Sequence, residues 1–272
     1  MPDKDDVHSY GVATTPVQGD GVPLRAEELL RNGHTLLPSG LDASELESLR
    51  TTLDEVYLRQ CSELEEVDLS ASDDADVARA LLAYDDRFME LATNQSVTSF
   101  CSQVFGDNFV LLQQNGVINR PGRAHYQLRW HRDLPFQHWT ISKPLALAAL
   151  LCIDDFTVET GATHALPGSH NHAEFPSDEF VRHHQHIMQA PAGTFLVMDA
   201  MMFHRAGDNI SQWVRRGINH LIGLPFLAQQ IDLPGMLDGR HQDDPFLSRY
   251  LGYAWRPAPS PVTWRLARAR RS

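Results

Sequence analysis

The chain has 272 residues, 42% hydrophobic and 21% charged, enough apolar mass for a substantial core in one large domain or two small ones. Its formal net charge of −12 argues against nucleic acid as a partner, which calls for a basic face. Three separated cysteines, Cys61, Cys101 and Cys152, form no CxxC pair; they argue against a disulfide framework or a structural zinc site and fit reduced thiols in a cytoplasmic protein.

Residues 1–23 are polar, with scattered Gly and Pro, and read as a loosely ordered lead-in without a signal-peptide apolar run. Residues 24–105 read as mainly helical support. Leu46, Leu49, Leu53 and Tyr57 recur at helical spacing, and Asp42 or Ser44 is placed to cap that helix. "NGHTLLPSG" before it predicts a short strand. The acidic, Ser-rich stretch 67–77 predicts a loop or lid, and 86–106 a further helix ending near Gly106.

From 106 to 230 the texture changes to short apolar or alternating runs bounded by Gly, Pro, Asn or Asp, which predicts successive strands of an all-β sandwich or barrel. "FVLLQQNGVINRPG", "HYQLRWHRDLPF" and "TFLVMDAMMFHRAGDN" are such runs. "PLALAALLCI", too short to span a membrane, reads as a buried strand. In 231–272, "DPFLSRYLGYAWRP" predicts a closing helix, followed by the basic tail "RLARARRS". The whole reads as one domain.

Three features ask for a common explanation. In "RWHRDLPFQHW", His131 and Asp133 stand two apart, on one face if the segment is a strand; alone they are either a surface ion pair or two-thirds of a metal site. His204 ends a strand-like run, and Arg215 lies eleven residues beyond it, beside Arg216. Two histidines and a carboxylate on one face of iron(II) leave open positions for a cosubstrate and oxygen, and a nearby arginine pairs fork to fork with a cosubstrate carboxylate. Strand alternation turns only one of Arg215 and Arg216 inward. Gly168, Ser169 and His170 read as a capped tight turn, "HHQH" at 183–186 as solvated surface, and Trp130 as facing away from the two candidate ligands.

"WHRD", then "ETGATHALPGSH", then "DAMMFHRAGDNISQWVRR" resemble, in order, the motifs of the phytanoyl-CoA dioxygenase family of Fe(II)/2-oxoglutarate-dependent oxygenases, over about residues 105–225. The resemblance implies a double-stranded β-helix (jelly-roll or cupin-like) core at 106–230, with the N-terminal helices packed on it and a short C-terminal helix. It implies iron held by His131, Asp133 and His204, with Arg215 on the distal carboxylate of 2-oxoglutarate. Asn119, in first place, and Asn115 match the strand whose polar side chains reach the cosubstrate. The serine or threonine the family often carries on the next strand is absent from "LALAALL". The resemblance further implies O2 as the second cosubstrate, release of succinate and CO2 and, from the carboxylate of Asp133, hydroxylation or another oxidation over halogenation. Phe136, Gln137 and Trp139 follow the candidate iron segment in a loop, and either line the substrate mouth or, for the aromatics, pack in the core. Arg120, Arg123, Arg129 and Arg132 are locally basic, but a chain of net charge −12 is not an obvious host for polyanionic coenzyme A and favours a small polar compound or secondary metabolite. The competing readings are a cupin-like metalloenzyme that does not use 2-oxoglutarate, and a non-catalytic binding member of the fold.

Overall fold

The structure is a computed structural model that describes residues 22–63, 74–123, 126–134 and 140–269. In chain order it contains α1 (Val22–Asn32), β1 (His34–Pro38), α2 (Ala43–Glu63), β2 (Val77–Arg79), α3 (Asp86–Ala92), α4 (Gln95–Phe105), β3 (Val110–Asn119) and β4 (Ala146–Cys152). There follow β5 (Thr163–Ala165), α5 (Asp178–His184), β6 (His186–Met188), β7 (Thr194–Asp199), β8 (His204–Arg205), β9 (Arg215–Gly223), α6 (Leu233–Leu237), α7 (Pro245–Tyr250) and α8 (Pro261–Ala269). Among the described residues a six-stranded sheet has the order β1-β7-β4-β9-β3-β2 and a three-stranded sheet the order β6-β5-β8. Their pairings are antiparallel.

The large sheet is covered on both faces, which is why "PLALAALLCI" is apolar throughout. Leu147, Ala149 and Leu151 of β4 join the core shared with the helices, including Leu53 of α2 and Phe88 of α3. Ala148, Leu150 and Cys152, pointing the other way, pack with Ala165 and Met188 of the small sheet and Met198 of β7. The inner face of the large sheet, opposite the small one, is the face that matters for function.

α2 begins as the spacing predicts. Asp42 Oδ1 accepts from the backbone N–H of Ser44 (2.8 Å) and Glu45 (2.9 Å), and Glu45 returns a carboxylate oxygen to the Asp42 N–H (2.7 Å), a capping box. Leu46, Leu49 and Leu53 are buried on the sheet and Tyr57 is half-buried. Leu53 fills a notch over β3, since a Cβ on Gly116 would lie 2.2 Å from Leu53 Cδ1.

Four expectations are corrected. The helix predicted over 86–106 is two: Asn94 ends one and caps the next through its side chain to the Ser96 N–H, and Gly106 closes the second at φ 74°. The strand predicted around "RWHRD" is a 3-10 turn at Tyr126–Leu128 followed by an isolated bridge between His131 and His204. The N-terminal segment is more than support, because it supplies β1 and β2, the two edge strands of the large sheet. The basic tail is not a tail up to Ala269, since α8 takes up Pro261–Ala269. The predicted closing helix is α7, capped by Asp244 and stopped by a turn in which Gly252 has φ 101°. The possible lid at 67–77 lies outside the described residues as far as 73. No helix among the described residues is long and apolar enough to cross a membrane.

Candidate active site

His131, Asp133 and His204 converge, offering ligand atoms that all lie within 4.8 Å of one another. The backbone makes this possible. His131 and His204 exchange both main-chain hydrogen bonds (3.0 Å each), and the Asp133 N–H bonds to the carbonyl of Ala200 (3.0 Å). The two imidazoles stand 4.4 Å apart between centroids, and His204 Nε2 is 3.6 Å from Asp133 Oδ1. Each histidine anchors its Nδ1 on a main-chain carbonyl: His131 on Arg129 (2.8 Å) and His204 on Met202 (3.0 Å). With Nδ1–H donating there, the Nε2 lone pair is left to face the carboxylate, the tautomer a metal ligand needs. Burial, and then the neighbouring His204, push the His131 pKa down and favour its neutral form.

The triad opens into a cavity of about 330 Å³ on the inner face of the large sheet. One row crosses four adjacent strands and lines it: Arg79 of β2 pairs with Asn115 of β3, Asn115 with Asn219 of β9, and Asn219 with Leu150 of β4. Thr163 of β5 lines the cavity from the small sheet. At the end of β9, Arg215 is buried and lines the cavity, whereas Arg216 turns out to Asp54 (2.8 Å) and Asp154 (3.4 Å), as alternation predicts. The Arg215 guanidinium lies over the Phe156 ring at 4.3 Å and donates to the Gly161 carbonyl (2.8 Å). No carboxylate among the described residues forms an ion pair with it, and burial pushes its pKa down to about 10.

Three lining residues carry buried polar atoms with no hydrogen-bond partner: Asp133 Oδ2, Arg215 Nε and Asn219 Oδ1. Left unmade, such bonds cost roughly 1–3 kcal/mol each, and more for charged groups. A cation-seeking carboxylate and an anion-seeking guanidinium in one cavity fit a metal ion and an acidic cosubstrate.

The cavity reaches Asn115 but not Asn119, which reverses their expected order. Asn119 pairs with Arg215 in register, but the chain at Gly161 and Gly207 crosses there and takes its side chain, which donates to the Gly207 carbonyl (3.0 Å). Phe136, Gln137 and Trp139 lie outside the described residues. The arginines expected to form a basic patch are differently used. Arg120 and Arg123 both pair with the buried Asp76 (2.8 and 3.1 Å), and Arg132 is itself buried. Trp130 is half-buried against Leu166, Val181 and Phe203, and His183, His184 and His186 are exposed, as expected.

Sequence reasoning missed Asn219, Thr163, Arg79 and Tyr126. Asn219 was within reach, since it shares strand parity with Arg215 four residues earlier. Arg79 and Tyr126 come from segments without a motif. Arg79 pairs with Asp74 and donates to the Tyr126 hydroxyl (3.3 Å), which also accepts from Gln127 Nε2 (3.2 Å).

The sequence model of the phytanoyl-CoA dioxygenase family matches residues 29–217. The chain belongs to the phytanoyl-CoA dioxygenase family. Membership makes it a dioxygenase dependent on iron(II), 2-oxoglutarate and O2. The uncharacterized protein Rv1501 of Mycobacterium tuberculosis is 30% identical over 206 residues, 74% of each chain. The iron/alpha-ketoglutarate-dependent dioxygenase penM of Penicillium thymicola is 24% identical over 52% of this chain and 46% of its own. The crystal structure of EctD from S. alaskensis with 2-oxoglutarate and 5-hydroxyectoine shares the fold, with a TM-score of 0.63 and 20% identity over 81% of this chain and 80% of that one.

Proposed function

We propose that His131, Asp133 and His204 hold the iron, that Arg215 takes the distal carboxylate of 2-oxoglutarate, and that the enzyme hydroxylates or otherwise oxidises a small polar molecule. In this reading the chain is one domain, its two sheets are the halves of a jelly roll, and it works in the cytoplasm. The observation that carries the assignment is the set of orphaned polar atoms, Asp133 Oδ2 and Arg215 Nε above all, in the lining of a single cavity. A buried guanidinium without an anion is costly, and a dicarboxylate supplies one. Thr163 and Asn115 bring a hydroxyl and an amide to the same lining, with Asn119 a structural neighbour of Arg215.

Bound iron and 2-oxoglutarate supply an oxidative decarboxylation of the cosubstrate by O2, giving succinate and CO2 and oxidising power for the substrate. The rest is the protein's work. The Arg129 and Met202 carbonyls hold both imidazoles in the ligating tautomer. Leu150, Met198 and Val117 give the cavity its apolar wall and limit water around the reacting centre. Among the described residues the Tyr126 hydroxyl accepts two hydrogen bonds and donates none, which leaves its proton to donate into the cavity. That favours a substrate presenting a carbonyl or carboxylate oxygen. The cavity volume and the commitment of Arg120 and Arg123 to Asp76 disfavour a coenzyme A thioester. EctD, with 5-hydroxyectoine in its crystal structure, is a relative of the fold whose ligand is small. A cupin-like site with a fourth protein ligand has no support among the described residues, where the cluster is a triad.

Anaerobic titration with Fe(II) and 2-oxoglutarate tests the assignment. A weak visible charge-transfer band is expected in the wild type and none in His131→Ala. Absence of the band in the folded wild type, together with no succinate release from 2-oxoglutarate in air, would overturn it.

A further inference from the structure

Between the two ligands His131 and Asp133 stands Arg132, and its side chain points the opposite way, into the protein. It is 3% exposed. An arginine so buried has a reason to be there, because removing its charge from water is costly. Its guanidinium lies over the Phe203 ring, with Cζ 3.8 Å from the centroid. Phe203 is the residue before the third ligand, His204. Arg132 also donates to three main-chain carbonyls of the Pro-Gly-Ser-His turn and its continuation: Ser169 (3.1 Å), Ala173 (3.2 Å) and, through a shorter bond, His172.

The same turn grips Phe203 independently. The Phe203 N–H donates to Ser169 Oγ (2.9 Å) and its carbonyl accepts from the Leu166 N–H (2.9 Å). The buried Asp199, which raises the Arg132 pKa against the larger effect of desolvation, accepts from the Met201 N–H (2.8 Å) and so caps the bend that leads into His204. The two ligand segments therefore meet twice. On the cavity side the imidazoles and the carboxylate face one another. On the far side Arg132, Phe203 and the turn at 166–173 form a closed brace.

We propose that Arg132 is a positioning residue for the metal centre, fixing His131 and Asp133 relative to His204 before the metal arrives. The inference rests on the iron assignment above and adds a residue outside the triad, whose guanidinium braces the ligand segments through Phe203 and the turn. A planar guanidinium bridges three carbonyls and stacks on a ring at once; an ammonium on a flexible stem does not reproduce that geometry. The reason for the turn motif follows as well: it is the anvil against which both ligand segments are set.

The test is Co(II) titration of the metal-free protein, read by ligand-field absorption, in wild type, Arg132→Lys and Phe203→Leu. The second variant keeps the hydrogen bonds of Arg132 and removes only the ring beneath it, so it serves if the first fails to fold. Outer groups that orient metal ligands are typically worth about 10–100-fold in metal affinity. A loss of roughly 10-fold or more, with an altered absorption envelope, is expected in variants whose circular dichroism stays that of the wild type. A purely structural Arg132 would lower the melting temperature of the metal-free protein and leave the Co(II) affinity and spectrum of the folded form unchanged; that result overturns the proposal. Failure of the wild type itself to bind Co(II) at this site would overturn the metal reading together with it.

Discussion

At the scale of single residues, the site depends on which atoms are already committed. His131 and His204 have their Nδ1 atoms occupied by main-chain carbonyls, which leaves each Nε2 open, and among the described residues no carboxylate pairs with Arg215. Arg215→Lys should raise the KM for 2-oxoglutarate by about 10- to 100-fold, the worth of a charge-assisted hydrogen bond, while Co(II) affinity stays unchanged. Equal KM values in the two proteins would remove Arg215 from the cosubstrate. For Tyr126→Phe the loss belongs to the substrate: its KM should rise about 5- to 10-fold with 2-oxoglutarate binding intact, once a substrate is found by screening succinate release. That His131, Asp133, His204 and Arg215 would converge on one cavity was legible in their spacing. The order of Asn119 and Asn115 was not, because strand parity places both on one face and only the crossing loop decides which meets the cavity. Tyr126 and Arg79 were invisible for a simpler reason: their roles are created by tertiary neighbours.

Elements carry these residues to one place through close backbone contacts. The strands β3, β4 and β7 were readable from apolar runs between turn residues, and α2 from its heptad-like spacing and cap. The "RWHRD" segment was not, because its pairing is with the two-residue strand β8 and the bend before it, too short to leave an alternating pattern. The split of 86–106 turns on one side chain, Asn94, whose capping competes with helix continuation. The tightest crossing is at Gly161, which has φ 77° and on which a Cβ would lie 2.4 Å from the Gly207 carbonyl oxygen and 2.7 Å from Asn119 Nδ2. Gly161 also supplies the carbonyl that holds Arg215. Gly161→Ala should therefore cost about 1–3 kcal/mol from backbone strain alone, read by urea unfolding, and raise the KM for 2-oxoglutarate as Arg215 shifts. A variant with unchanged stability and KM would mean that the two loops separate freely. On the other face, Leu53→Ala empties the notch over Gly116 and should cost about 2–5 kcal/mol with no effect on metal affinity beyond the loss of folded protein.

For the molecule as a whole, the two faces of the large sheet divide the labour: one is filled by the helices, the other is left partly open for chemistry. The filled face holds a histidine that ties stability to acidic pH. His220 of β9 is 1% exposed, and burial pushes its pKa down to about 4 from 6.5. Its neighbours show why it stays neutral. Nδ1 faces the Ala149 carbonyl (3.2 Å) and takes the proton, so Nε2 accepts from Gln114 Nε2 (3.0 Å). That amide also donates to the Phe88 carbonyl, while its oxygen accepts from the Leu82 N–H, so it cannot turn round to receive a second imidazole proton without breaking both. A proton on His220 would thus set two donors against each other in a dry core. Between pH 6.5 and 4 the unfolded chain holds that proton and the folded chain does not, so the folded state loses stability as pH falls through this window. A gap of this size amounts to about 3 kcal/mol over the whole window and about 2 kcal/mol between pH 7 and pH 5. His220→Gln, which can still bridge Ala149 and Gln114 but does not titrate, should flatten the curve by that amount when urea unfolding is compared at the two pH values. If wild type and variant lose stability in parallel, the acid sensitivity of the fold originates in other groups, and the strut from β9 through Gln114 to α3 is not its source.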